Sequence, residues 1–127
     1  MAITEAVENY LETILILSQK QPNVHAIDIC SYLGYSRPTI SIVLKKMKES
    51  GLVFVDDDNR ITLTAKGREV AENIYDRHTV LSELFMILGV SHDTAVEDAC
   101  KIEHDLSEET FKLLKAHYFE LLANKKH

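Results

Sequence analysis

Two short helical segments on either side of a tight turn constrain the fold more than any other feature of this chain. Residues 26–33 have helical character and present Ile27, Cys30 and Leu33 as their apolar face. Gly34-Tyr35 follows as a turn in which glycine supplies a backbone conformation that other residues resist. Ser36 then has the character of an N-cap, and Pro38 lies in the first helical turn, where its missing N–H costs nothing. A second helix ends near Ser50-Gly51. This order predicts a helix-turn-helix, whose second helix buries Ile40, Val43, Leu44 and Met47.

A β-hairpin is predicted directly after these two helices. Residues 52–55 and 60–63 are short runs of β-type residues, and the acidic turn at residues 56–59 joins them. Helical periodicity opens the chain before this module, with one apolar face made of Val7, Tyr10, Leu11, Ile14 and Leu17. Three capped helical segments follow the module, the first from about Ala65 to Leu88. We therefore predict a mainly α protein, with an N-terminal winged helix-turn-helix DNA-binding domain at residues 1–70 and a helical domain at residues 71–127.

The second helix of the module would leave a polar face exposed if its apolar stripe is buried. A helix in this position fits the major groove of DNA, and its first turn contacts base edges. Arg37 can bond a guanine edge through two N–H groups, and Ile42 offers apolar contact to a thymine methyl. Lysines on this face would bind phosphate without reading sequence. The predicted DNA contacts are Ser36, Arg37, Pro38, Thr39, Ser41, Ile42, Lys45, Lys46 and, on the hairpin, Arg60.

The acidic tip of the hairpin argues against a wing that presses on phosphate. Asp56, Asp57 and Asp58 would be repelled there, which leaves Asn59 or Arg60 as the part of the wing able to touch the DNA backbone. A winged helix that serves only for protein contacts is the alternative interpretation of the module.

Composition limits the class of protein. A chain of 127 residues makes one domain or two small subdomains that share a core, and 46% apolar with 27% charged residues is ordinary for a soluble globular protein. No apolar run approaches the roughly 18 residues that span a bilayer, and the N-terminus resembles no export signal. Cys30 and Cys100 are far apart and form no disulfide framework. These features predict a cytoplasmic protein.

The distribution of charge along the chain favours DNA binding more than the net charge does. A net charge of −6 argues against attraction to phosphate. Residues 31–70, however, contain seven basic and five acidic residues, whereas residues 76–127 contain six basic and ten acidic residues. The predicted DNA-reading segment is therefore mildly basic within an acidic protein.

The stretch Cys100-Lys-Ile-Glu103-His104 combines three types of metal ligand. It falls in a segment predicted as helical from Asp93 to Glu103 or His104, and residues at i, i+3 and i+4 share one helix face. A thiol, a carboxylate and an imidazole would then converge, and this mixture of soft and hard donors suits Fe(II), Co(II), Ni(II) or Zn(II). The alternative is a half-buried cysteine beside a solvated Glu-His pair.

Three stretches of the sequence together match the pattern of one known family. They are residues 9–14 (Asn-Tyr-Leu-Glu-Thr-Ile), residues from Tyr35-Ser-Arg-Pro-Thr-Ile-Ser41 to Lys66-Gly67, and Arg77-His78 with Cys100-Lys-Ile-Glu-His104-Asp-Leu-Ser107. In this order they resemble the first helix, the recognition helix with its wing, and the metal-binding and dimerisation part of the diphtheria-toxin-repressor family of iron- and manganese-dependent regulators. The resemblance implies a homodimer whose affinity for operators near metal-uptake genes rises when a divalent metal binds. The SH3-like third domain of many iron-responsive members is expected to be absent.

The resemblance also implies a set of metal ligands. Four positions correspond to the main site, two more complete a site in the manganese-responsive branch, and in the iron-responsive branch the His78 position belongs to an ancillary site. The predicted ligands are Asn9, Cys100, Glu103 and His104, completed by Glu12 and His78.

This chain departs from the family pattern at several ligand positions. Asn9 stands where the family usually offers Asp or Met, and its amide oxygen carries no charge. Cys100 matches the iron-responsive branch, whereas Ser82 and Val96 replace further ancillary ligands of that branch. A thiolate favours Fe(II) over Mn(II), so that we predict Fe(II) first and Mn(II) second, with Co(II), Ni(II) or Zn(II) binding in vitro.

Two other functions compete with a metal-activated regulator. The first is a winged-helix regulator with a decayed metal site, for which Asn9 is the main argument. The second is a small metalloenzyme, because a glutamate beside a Cys/His site can activate water. The chain contains no Gly-rich phosphate loop and no second subdomain to form a cleft. We therefore predict that the protein is not an enzyme.

Overall fold

The computed structural model of the protein describes residues 3–125, which form six α-helices and one two-stranded antiparallel sheet. Two compact units divide the chain, the first ending at Asn73 and the second beginning at Ile74. The predicted mainly helical fold is therefore confirmed. In chain order the elements are α1 (Glu5–Lys20), α2 (Ala26–Leu33), α3 (Arg37–Glu49), β1 (Val53–Val55), β2 (Ile61–Leu63), α4 (Ala65–Ile87), α5 (His92–Ile102) and α6 (Glu108–Lys125).

Helix α1 supplies one wall of the core of the first unit. Thr4 caps it, with its hydroxyl accepting a hydrogen bond from the Val7 N–H at 3.3 Å, and Glu5 and Glu8 place negative charge in the first turn, where the helix dipole favours it. The apolar stripe expected from the periodicity is buried, as predicted: Val7, Tyr10, Leu11, Ile14 and Leu17.

The helix-turn-helix forms as the turn chemistry predicts. Gly34 ends α2 with φ of 75°, and Ser36 caps α3 with its hydroxyl oxygen 3.4 Å from the Thr39 N–H. In α3, Ile40 and Met47 are buried, and the two other residues of the stripe pack half-buried against the core. In α2 the expected buried residue Ile27 is exposed, whereas Ile29 is buried together with the expected Cys30.

The hairpin is attached to the loop before α2 by a hydrogen bond and to α4 by close packing. Strands β1 and β2 pair in the register Val53↔Leu63, Phe54↔Thr62, Val55↔Ile61. The Ile61 N–H also donates to the Val24 carbonyl at 2.8 Å, which joins β2 to the loop before α2. Gly67 on α4 packs so closely that a Cβ atom there would overlap the carbonyl oxygen of Leu52. The wing is therefore a fixed part of the first unit.

The second unit contains the C-terminal part of α4 together with α5 and α6. Its small apolar cluster consists of Val80, Leu84 and Phe111, with Leu114, Tyr118 and Leu121 packed against it. Helix α4 ends one residue earlier than predicted, and Gly89 then adopts φ of 103° in the turn to α5. No helix in residues 3–125 is long and apolar enough to cross a membrane.

Candidate metal centre and DNA-binding face

Glu103 is the most deeply buried ionisable residue described in the second unit. It is the C-cap of α5, with helical backbone angles and its N–H donating to the Ala99 carbonyl at 2.9 Å, and none of its surface is exposed. One carboxylate oxygen, Oε2, lies 2.8 Å from His78 Nδ1. A buried carboxylate is costly unless hydrogen bonds or positive charge compensate it. The environment of Glu103 therefore calls for a cationic partner.

The second carboxylate oxygen of Glu103 has only a weaker partner. Oε1 lies 3.4 Å from His104 Nε2, close enough for an ion pair, but it accepts no hydrogen bond of good geometry within residues 3–125. The side chain of His104 is only 2% exposed, whereas that of His78 is 26% exposed. A carboxylate between two imidazoles, with one orphaned oxygen, is a donor set that a divalent first-row cation satisfies. The types of side chain around Glu103 thus suit a metal by their chemistry, although within residues 3–125 they are not already arranged around one point.

Arg77 holds the segment that carries Glu103 and His104. It is buried on α4, and its Nη1 donates to the backbone carbonyls of Glu103 at 3.2 Å and Leu106 at 2.5 Å. Its Nη2 donates to the exposed Glu108 carboxylate at 3.2 Å, and the guanidinium lies 5.2 Å from the centre of the Phe111 ring. We call these contacts the Arg77 clamp. The clamp fixes the turn between α5 and α6 against α4, the helix that carries His78.

Cys100 lies one turn before Glu103 on α5. Its thiol belongs to no disulfide, and the residue is exposed. The helix ends at Ile102 rather than at Glu103 or His104, since His104 already belongs to the following turn. Because Glu103 keeps helical φ and ψ, the i, i+3 relation between Cys100 and Glu103 is retained. The expectation of a solvated Glu-His pair, which was the alternative to a metal site, does not hold, because both side chains are buried.

The two remaining predicted ligands lie in the first unit. Asn9 and Glu12 are half-buried neighbours on α1, and the Asn9 carbonyl accepts a hydrogen bond from the Thr13 hydroxyl at 2.8 Å. Within residues 3–125, no group of three or more His, Cys, Asp or Glu side chains is already arranged to hold a metal ion. The six-residue ligand set therefore stays a prediction.

The exposed face of α3 presents the residues predicted to touch DNA. Ile42 is 60% exposed, which is unusual for a large apolar side chain and leaves it available to a thymine methyl. The Ser36 hydroxyl is occupied by its capping role and by the Thr39 hydroxyl at 2.9 Å, so that both side chains also shape the start of α3. The rest of the exposed face consists of Arg37, Pro38, Ser41, Lys45 and Lys46.

Arg60 on the wing is held by the acidic residues that precede it. Its Nε lies 2.7 Å from Asp56 Oδ2, and its Nη2 lies 3.4 Å from Asp58 Oδ2. The other oxygen of Asp56 accepts the backbone N–H groups of Asp58 and Arg60, each at 2.9 Å. The bond from the Arg60 backbone N–H is the main cause that lowers the pKa of Asp56 below its usual value. Contact of Arg60 with DNA, which stays a prediction, would require its guanidinium to leave these carboxylates.

A pair of tyrosines links α1 to the turn of the helix-turn-helix. The rings of Tyr10 and Tyr35 meet edge to face, with centroids 6.0 Å apart and an interplanar angle of 62°. Tyr10 is buried, and burial, followed by the proximity of Tyr35 and Cys30, raises its pKa above the usual value for tyrosine. Tyr35 is half exposed.

Sequence reasoning missed two of these features. The burial of Arg77 could have been predicted, because Arg77 continues the helical spacing of the buried residues Ile74 and Leu81 and is therefore an arginine at a core position. No local pattern indicated the pairing of Tyr10 with Tyr35, since the two residues are far apart in the chain and meet only when α1 packs on α2.

Comparison with known proteins places both units in one family. The N-terminal DNA-binding domain of iron-dependent repressors matches residues 2–60, and their metal-binding and dimerisation domain matches residues 64–121. The transcriptional regulator MntR of Escherichia coli O157:H7 is 33% identical over 106 residues, which are 84% of this chain and 68% of that protein. An HTH-type transcriptional regulator of Methanocaldococcus jannaschii is also 33% identical, over 89% of this chain and 92% of its own length.

The fold is similar to that of a solved regulator. The structure of the manganese regulator SloR superimposes with a TM-score of 0.77 at 27% identity and covers 92% of this chain. This chain spans 54% of SloR, about half its length. The relatives are regulators, which confirms the prediction that the protein is not an enzyme. Because both domain models match in the predicted order, the chain belongs to the diphtheria-toxin-repressor family of metal-dependent transcriptional regulators.

Proposed function

We propose that this protein is a homodimeric transcriptional regulator that a divalent metal activates for binding to operator DNA in the cytoplasm, where it represses genes for metal uptake. The observation that carries the proposal is the buried Glu103 carboxylate, which lies between His78 and His104 and keeps one orphaned oxygen. Both family-model matches support it, since one covers the DNA-reading module and the other the region that contains Glu103.

The proposed metal centre uses ligands that bind a metal only in their deprotonated forms. A divalent ion would supply positive charge to the buried Glu103 carboxylate, and His78 and His104 lie beside that carboxylate to help hold the ion. His78 and His104 would then present neutral ring nitrogens, and Cys100 would present a thiolate. The full ligand set in this proposal is Asn9, Glu12, His78, Cys100, Glu103 and His104.

The proposed metal is Fe(II), with Mn(II) second. A thiolate from Cys100 is a soft ligand and favours Fe(II), Co(II), Ni(II) or Zn(II), whereas Mn(II) prefers oxygen donors. The iron-dependent family models and the manganese regulator SloR among the similar structures agree with either metal. Intrinsic affinity alone would select copper or zinc, so that the metal available in the cell decides which one is sensed.

The proposed DNA contact is made by α3. Arg37, Thr39 and Ser41 lie on its first turns, where a recognition helix reads base edges, while Lys45 and Lys46 provide phosphate contacts. In a homodimer the two α3 helices would be set about 34 Å apart, one turn of DNA. Because Arg60 is paired with acidic residues, we infer that most of the affinity comes from α3 and little from the wing tip.

A regulator that binds DNA independently of metal is the second candidate function. Two observations favour it: Asn9 offers an uncharged ligand, and no ready-made group of three metal ligands exists within residues 3–125.

Selection of DNA by the purified protein separates the two functions. Fragmented genomic or random-sequence duplexes are incubated anaerobically with the protein and Fe(II), Mn(II) or a chelator, and the retained fragments are sequenced. Enrichment that requires metal supports the proposal. The metal that gives the stronger enrichment shows whether the protein resembles the iron-responsive or the manganese-responsive branch of the family. A Glu103→Gln variant, which keeps the shape but removes the charge of the buried carboxylate, should lose the metal dependence. Asp105→Asn, a change at an exposed carboxylate nearby, is the matched control.

Three results would contradict the proposal in different ways. Equal enrichment with metal and with chelator would leave only the metal-independent regulator. No enrichment under any condition would point to a module for protein contacts. If Glu103→Gln responds to metal as the parent protein does, Glu103 is not part of the metal centre.

A further inference from the structure

Tyr35 occupies the middle of the turn that orients α3. It follows Gly34, which ends α2 in the left-handed conformation, and precedes Ser36, which caps α3. The orientation of the Tyr35 ring is therefore tied to the backbone that sets the angle between the two helices of the DNA-reading module.

The Tyr35 ring packs on a residue of α1 that lies among the proposed metal ligands. Its contact is with Tyr10, which follows Asn9 directly and lies two positions before Glu12. Tyr10 is only 3% exposed, so its ring has little freedom of its own and moves together with α1. Tyr35 is 50% exposed and has room to move. A shift of α1 is thus transmitted through an edge-to-face contact to the start of α3.

We propose that the Tyr10–Tyr35 pair is a positioning element that couples metal occupancy at α1 to the orientation of the DNA-reading helix. The inference rests on the proposed function, because it assumes that Asn9 or Glu12 responds to metal. The geometry requires neither tyrosine to touch the metal. One aromatic pair alters an equilibrium by about threefold to tenfold, which is large enough to contribute much of a typical metal response.

Tyr35→Ala tests the coupling, and Tyr32→Ala is the matched control. Tyr32 is a second tyrosine of similar exposure, three residues earlier on α2, and its ring lies under the Lys20 ammonium at 6.0 Å. A duplex selected by the parent protein is used as the probe, and its Kd is measured with Mn(II), with Fe(II) under anaerobic conditions, and with chelator. The coupling ratio is the Kd with chelator divided by the Kd with metal.

We expect Tyr35→Ala to lower the coupling ratio about threefold to tenfold while metal affinity without DNA stays as in the parent. Tyr35→Phe, which keeps the ring and loses only the hydroxyl, should retain the parent ratio, as should Tyr32→Ala. A uniform loss of DNA affinity with and without metal would instead make Tyr35 a simple DNA contact and overturn the inference. If the alanine variant does not fold, Tyr35→Leu fills the space without an aromatic edge, and the same comparison applies.

Failure of the inference and failure of the proposed function give different results. If the coupling ratio of the parent protein is near one, metal does not control DNA binding, and both the proposed function and the inference are wrong. A parent ratio well above one that is unchanged in Tyr35→Ala overturns the coupling role alone. Reciprocity supplies a second readout, because the tightening of Mn(II) binding by the duplex must fall by the same factor as the coupling ratio.

Discussion

Removal of the Arg77 clamp should both destabilise the second unit and weaken metal binding. In Arg77→Ala, the carbonyls of Glu103 and Leu106 lose a charged donor, and an unsatisfied buried acceptor costs about 1–3 kcal/mol. Loss of the cation–π contact with Phe111 adds about 0.5–1 kcal/mol, while the bond to the exposed Glu108 contributes little because water screens it. Two acceptors and the ring contact together give about 2.5–7 kcal/mol, and water can reach the part-buried Leu106 carbonyl, so that we expect the free energy of unfolding to fall by about 3–5 kcal/mol.

Urea denaturation followed by circular dichroism measures that change. Metal affinity is measured by titration with Co(II) at a temperature where the variant is folded, and it should fall about 10- to 100-fold, as for other residues that orient metal ligands. Arg77→Lys keeps the charge but lacks the planar guanidinium that faces two carbonyls and the Glu108 carboxylate and packs over the Phe111 ring, so that it should recover only part of both losses.

The matched control is Arg68→Ala on the same helix. Arg68 makes an exposed ion pair with Glu72 at 3.4 Å, and its loss should cost at most about 1 kcal/mol. If Arg77→Ala costs no more than this control, or if it is destabilised yet binds Co(II) as the parent does, then the clamp does not position Glu103 and the reasoning is wrong.

Three further predictions concern other parts of the chain. Gly67→Ala should destabilise the first unit by about 1–3 kcal/mol or more in urea denaturation, because the new Cβ overlaps the Leu52 carbonyl. Gly51→Ala is the control, since only the φ of 72° opposes a side chain there. If Gly67→Ala costs less than Gly51→Ala, the prediction is wrong. The pKa of Asp56 is lowered in the fold, so that its ionised form stabilises the hairpin at neutral pH, and this contribution disappears as the pH falls below the usual value of 3.8. The difference in stability between the parent protein and Asp56→Asn should therefore shrink as the pH falls through that range. A difference that does not depend on pH would refute this prediction. Cys100→Ala should weaken Co(II) binding at least about tenfold and abolish thiolate-to-metal absorption, whereas unchanged absorption would exclude the thiolate as a ligand.

Local signals were sufficient to predict most of the first unit. The apolar stripe of α1, the turn at Gly34 and the cap at Ser36 depend on residues within a few positions of one another, and the structure reproduces each of them. The one error was Ile27, because eight residues of α2 are too few for periodicity to fix which face is buried.

The chemistry of the candidate sites depended on contacts between distant residues, and the sequence could predict it only in part. The Cys100-to-His104 pattern indicated a metal site, but not that Glu103 would be wholly buried or that the clamp from α4 would hold it. Nor did the residue types alone show that Arg60 is already paired with Asp56. Charge on a surface residue says little about whether that charge is available.

The hydrogen bond from Ile61 to the Val24 carbonyl also decides which edge of the wing is open. Because β2 bonds to β1 on one side and donates to this loop on the other, β1 is the strand with an open edge, and no third strand in residues 3–125 pairs with it. Phe54 stands exposed on that edge. An open edge that carries an aromatic residue invites strand addition by other chains, and the three-residue length of β1 limits it. A variant with a longer β1 would therefore be expected to aggregate, although its core would be unchanged.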